Sequence, residues 1–232
     1  MPFFFTDMVD ESRYRAMLSA IESTLPTGPL VYRITEAGEI ARLAEPAAWF
    51  MSRLGDGAPS ILCNGDAGEY VGFSVIPSPV LSLHSLTADR PQIEFQLLLQ
   101  WPWTSAYVAQ TFALVRSFGP CASAHWGVVS DEDSTLALKR GIGRQSSASR
   151  SATLSPRPRL TPCWVSWIAY WSEATCAVLD FGPDDTRTEL FHRVAWIAGH
   201  GVVLQLTADS LDVERPEHLA AISALYRAFP EL

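Results

Sequence analysis

Three extended segments follow one another between Tyr70 and Leu99, and no helix fits between them. Tyr70 to Ile76, Val80 to Leu86 and Gln92 to Leu99 are separated only by Pro77-Ser78-Pro79 and Ala88-Asp89-Arg90-Pro91. A parallel pair needs a crossover of roughly a dozen residues or more, whereas antiparallel neighbours need only a turn. These connections therefore predict a mostly antiparallel sheet. Helical spacing flanks the strands. Asp7 or Asp10 caps a helix from about Glu11 to Leu25, because Tyr14, Met17, Leu18, Ile21 and Leu25 share one face ahead of Pro26. Thr104 or Ser105 opens another through Phe118, with Gly119-Pro120 as its expected stop. Helices grouped beside clustered strands predict an α+β fold, a mixed and mostly antiparallel sheet flanked by helices.

Shorter elements fill the first half. Leu30 to Ile34 reads as a strand, and Pro46 starts a short helix carrying Trp49, Phe50 and Leu54 that Gly55-Asp56-Gly57 ends before Ser60-Ile61-Leu62-Cys63. Asn64-Gly65-Asp66 reads as a turn, Ala122 to Val129 as a strand containing His125-Trp126-Gly127, and Asp131-Glu132-Asp133 as a helix start. From Gly141 to Pro162 periodicity disappears, and between Lys139 and Arg159 stand six basic residues and no acid. The expected organisation is an N-terminal α+β region over 1–140, an Arg/Ser/Pro-rich flexible loop or linker over 141–162, and a C-terminal α+β region over 163–232. The two regions are expected to pack as one compact unit.

Beyond the loop, Cys163 to Tyr170 has the composition of a buried strand, and Ser172 caps a helix over Glu173 to Leu179. A short helix starts near Asp184-Asp185. Arg193 to Ala198 and Gly201 to Thr207 pair as a hairpin around Gly199-His200. Pro216 opens the last helix, with Leu219, Ile222, Leu225, Tyr226 and Phe229 expected inside.

A chain of 232 residues, 48% hydrophobic and 18% charged, can bury a sizeable core. Its 17 basic against 25 acidic residues give a net charge of -8, which disfavours direct nucleic-acid binding and favours a basic partner. No apolar run reaches the ~20 residues of a membrane span, and the first residues lack a signal-peptide pattern, so a cytoplasmic location is expected. Cys63, Cys121, Cys163 and Cys176 are scattered in apolar contexts, as small buried hydrophobes would be, and neither a metal site nor a cofactor is expected.

Gly-x-Ser-x-Gly, a phosphate-binding glycine loop and His-Glu-x-x-His are all absent. The enzyme alternative is a small cytosolic enzyme with His125 as general base beside a carboxylate of Asp131 to Asp133, although a histidine within an apolar strand is more commonly structural. His192 and His200 lack the spacing of a zinc site. Arg144, Arg150, Arg157 and Arg159 have no interleaved aromatics to stack on bases. Trp164, Trp167 and Trp171 fit a core better than a sugar platform. More suggestive is the acidic surplus of the last third, where Asp180, Asp184, Asp185, Glu189, Asp209, Asp212, Glu214 and Glu217 face only Arg187, Arg193, Arg215 and Arg227.

Trp167-x-x-Tyr170-Trp171-Ser172, Leu204-Gln205-Leu206-Thr207 and Tyr226-x-x-Phe229-Pro230, with His125-Trp126-Gly127 upstream, resemble the immunity protein 52 family of bacterial polymorphic-toxin systems. The resemblance implies a protein that neutralises a cognate toxin, often a restriction-endonuclease-like nuclease effector of a type VI secretion system. It carries no catalytic residue onto this chain. The toxin-binding residues expected from the acidic surplus are Asp184, Asp185, Glu189, Asp209, Asp212 and Glu214, acids in connecting segments that can meet a basic face. The expected partner is that toxin's nuclease domain, with no direct contact to nucleic acid or membrane.

Overall fold

The computed structural model describes residues 2–5, 10–25, 28–55, 60–77, 93–100, 104–129, 160–162, 167–230 and 232. Their architecture is α+β, and every strand pairing defined among them is antiparallel. The chain divides into two compact units, Met1–Gly127 and Val128–Leu232. The expected strand Val80 to Leu86, the helix start Asp131 to Asp133 and all but 160–162 of the expected loop lie outside the described residues.

The strands β1 (Pro2–Phe5), β2 (Tyr32–Ile34), β3 (Ile40–Arg42), β4 (Ser60–Cys63), β5 (Tyr70–Pro77), β6 (Ile93–Gln100) and β7 (Trp126–Val129) lie in the order β3-β2-β4-β5-β6-β1-β7, all within the first unit except Val128 and Val129 of β7. Leu62 pairs with Phe73 and Phe73 with Leu97, so one face of the sheet is a continuous apolar row. The helices of this unit are α1 (Glu11–Thr24), α2 (Pro46–Gly55) and α3 (Ser105–Ala122). Asp10 caps α1, its carboxylate accepting from the Arg13 amide at 2.7 Å. At the centre Phe73 stacks on Phe50 and Phe95, with ring centroids 5.3 and 5.5 Å away, and meets Phe118 edge-on. Tyr14 of α1 stacks on Phe50 at 4.6 Å.

Two sequence expectations fail here. Gly119-Pro120 does not stop α3, which continues to Ala122 and ends on Ser123 in the left-handed conformation. A proline removes its own amide from the helix ladder and crowds the carbonyl four residues back, but the buried Phe118 and Ala122 hold the last turn in the core. Consequently the strand expected from Ala122 starts only at Trp126, and His125 lies in the bend before it. The hairpin arm β3 carries no alternation long enough to read, yet all three of its residues pair with β2.

The second unit has three antiparallel strands, β8 (Ile168–Ser172), β9 (Arg193–Ile197) and β10 (Gly201–Gln205), in the order β8-β10-β9. Gly201 is required there: its φ is +129°, and a Cβ would collide with the Trp171 carbonyl oxygen and the Ser172 backbone. The helices are α4 (Glu173–Val178), capped by the Ser172 hydroxyl, a 3-10 helix (Thr186–Leu190) and α5 (Pro216–Ala228). Trp171 packs edge-on against Phe181, Phe191 and Phe229, which makes Trp171 and Trp167 core residues; both are buried. Leu219, expected inside α5, is 42% exposed, and the buried face carries His218, Ile222, Leu225 and Phe229. Cys63 and Cys176 are buried thiols and Cys121 is half-buried.

Candidate functional site

The six acids singled out by the sequence fall in two connecting segments of the second unit. The first begins after α4. Asp185 caps the 3-10 helix by accepting from the Arg187 amide at 2.8 Å, and its carboxylate pairs with the Arg187 guanidinium at 2.5 Å. Arg187 is the hub of this region. Its guanidinium donates to the carbonyls of Leu179, Asp180 and Ala228 and lies 4.5 Å from the Phe229 ring centroid and 5.8 Å from that of Phe181. That side-chain bond from Arg187 holds the Asp185 carboxyl below the usual carboxylate range. Asp185 is thus committed to the fold, while its neighbours Asp184 and Glu189 are exposed.

The second segment leaves β10 and enters α5. Its base is fixed by the Trp167 indole, which donates to the Thr207 carbonyl at 3.0 Å, and by the Gln205 amide, which donates to the carbonyls of Thr207 and Ala208. Beyond it the Asp212 carboxylate accepts from the Glu214 amide at 2.8 Å, and the Asp212 amide donates to His218 Nδ1 at 3.0 Å. Arg215 bridges Asp209 at 3.3 Å and Glu217 at 2.7 Å. The Glu217 carboxyl is held low by its own backbone amide at the helix start and then by Arg215. Both bridges are solvated, and pairs of that kind contribute little to stability.

The segments stand at opposite ends of α5. Arg187 reaches the carbonyl of Ala228 at one end and Arg215 is the cap at the other, with 13 residues of helix between, about 20 Å at 1.5 Å per residue. Asp184, Asp185 and Glu189 therefore do not converge with Asp209, Asp212 and Glu214 on one point. Among the described residues, Asp184, Glu189, Asp212 and Glu214 form no ion pair, and no three His, Cys, Asp or Glu side chains gather into a group able to hold a metal ion. No helix among them is long and apolar enough to cross a membrane.

His125, the base of the enzyme alternative, is half-buried, and the acids Asp131 to Asp133 lie outside the described residues. A different polar cluster surrounds the β4–β5 turn. Asn64 Oδ1 accepts from the amides of Asp66 and Val71, its Nδ2 donates to the Glu69 carbonyl, and Asp66 accepts from the amides of Gly68 and Glu69. The two amides hold the Asp66 carboxyl low. The Tyr107 hydroxyl donates to the Glu69 carboxylate, a bond that raises the phenol from its ordinary value. Asn64-Gly65-Asp66 signalled the turn, but nothing local signalled Tyr107 across 38 positions of sequence. The roles of Arg187 and His218 were equally hidden, because their partners are brought to them only by the fold.

No curated protein matches this chain. Among solved structures, the Pseudomonas aeruginosa T6SS protein PA0821 shares its fold, with a TM-score of 0.58 at 14% identity over 99% of this chain and 74% of that one. A family model described as a domain of unknown function, DUF5953, matches residues 9–232. Because the match takes in nearly the whole chain, the protein belongs to the DUF5953 family.

Proposed function

We propose that this protein is an immunity protein that binds and neutralises a cognate antibacterial toxin, a restriction-endonuclease-like nuclease effector of a type VI secretion system. The observation that carries this reading is the pair of acidic segments at the two ends of α5, whose exposed Asp184, Glu189, Asp212 and Glu214 have no ion-pair partner among the described residues. Side chains without an internal cation keep their charge available to an external one. A nuclease must present positive charge to phosphate, so an acidic face can capture it by the same field and occlude the substrate path. The net charge of -8 adds a long-range component to that capture. Fold likeness to PA0821, a T6SS protein, lends the secretion-system context. Inhibition of this kind acts in the cytoplasm by stoichiometric binding and needs no turnover, cofactor or metal, nor any contact with nucleic acid or membrane.

The test is co-purification with the product of the adjacent upstream gene, followed by a nuclease assay on that product with and without this protein. The informative variant combines Asp184→Lys, Glu189→Lys and Glu214→Lys, since Asp185 and Asp209 are ion-paired and Asp212 closes a local turn. Association is expected to slow about tenfold or more at low salt, with its salt dependence flattened. An unchanged rate across the salt series, or a folded protein that forms no complex, overturns the reading.

A further inference from the structure

His218 is 4% exposed, although it stands at the start of a surface helix beside Arg215, Pro216 and Glu217. Its Nδ1 accepts the Asp212 amide at 3.0 Å, so the lone pair must be on Nδ1 and the ring proton on Nε2. The Asp212 carbonyl in turn accepts from the Arg215 amide, and the Asp212 carboxylate accepts from that of Glu214. One imidazole nitrogen therefore tethers the turn that carries Asp212 and Glu214. We propose that His218 is a proton-gated latch on this acidic segment: the neutral ring holds Asp212 in place and the imidazolium releases it.

The physical basis is the reversal of one group. A proton on Nδ1 turns the acceptor into a donor pointed at another donor, and the Asp212 amide loses its partner in a part-buried contact. The charged groups around the ring are Glu217 and Arg215 at the start of its own helix, with Asp212, Glu214 and Asp209 on the preceding segment. The 3-10 helix also packs on α5, but at Ala228, so Asp185, Arg187 and Glu189 are about a helix length away. Acid conditions would thus loosen the same residues that the immunity reading uses. Its consequence for toxin capture rests on that reading, whereas the latch is tested on the free protein, so the two fail separately.

Nuclear magnetic resonance on the full chain reads both halves of the latch, the protonation state of the His218 ring and the exchange protection of the Asp212 amide. Between about pH 7.5 and 5.5 the protection factor at Asp212 is expected to fall about tenfold or more in step with ring protonation, while that of Val203 in β10 holds. His218→Asn keeps a short acceptor but cannot titrate, and its Asp212 protection should be the same at both ends of the range. Three results overturn the latch: protection that persists after the ring is charged, a ring that stays neutral to about pH 5.5, or the wild-type loss of protection in His218→Asn.

Discussion

Arg187 does the most for the second unit of any single charged residue, because its planar fork meets one carboxylate, three carbonyls and two aromatic rings together. A lysine has the charge without the fork. Arg187→Lys is expected to cost about 1–3 kcal/mol in urea unfolding. The partner carboxyl supplies a pH signature. Asp185 is held below the usual carboxylate range when folded, so its contribution is full above about pH 4 and is lost as pH falls through the lower folded value. In Asp185→Asn the loss of stability between about pH 5 and pH 3 should be shallower than in the parent. Neither role is legible in sequence. Asp185-x-Arg187 reads as two solvated charges, and the contact that defines the pair, Arg187 to Ala228, spans 41 positions.

At the scale of elements, spacing was a good guide to where helices and strands lie and a poorer one to which way they face. Pro216 marks the start of α5, and Ile222, Leu225 and Phe229 of the expected inside set are buried, but Leu219 is exposed and His218 takes a buried place instead. The Asp212 amide satisfies the histidine, which makes its burial inexpensive. The Gly119-Pro120 error has the same origin, a local rule overridden by tertiary packing of Phe118 and Ala122. Packing also shows where the first unit is most vulnerable. Phe73 on β5 touches rings from α1, α2, α3 and β6. Phe73→Ala is expected to cost about 3–5 kcal/mol, read as a lower denaturant midpoint, because no one element can move to fill the space.

For the whole molecule, the α+β architecture was legible, but β5 and β6 pair antiparallel across positions 78–92, a connection long enough for a parallel crossover, so short connections did not decide that pairing. The acidic surplus was equally plain. What composition could not give was its division into committed and available charge: Asp185 and Asp209 are paired, while Asp184, Glu189, Asp212 and Glu214 are not, among the described residues. That division needs three-dimensional neighbours. A last observation concerns how far selection has polished this fold. Tyr14 is fully buried in the aromatic stack of the first unit, yet its hydroxyl has no hydrogen-bond partner among the described residues, and burial pushes the phenol far up. Tyr14→Phe deletes one oxygen and leaves the stack intact, so a melting experiment should find the variant at least as stable as the parent, by up to about 1 kcal/mol. Stability can thus be raised inside the first unit by removing one atom, without touching the exposed acids of the second.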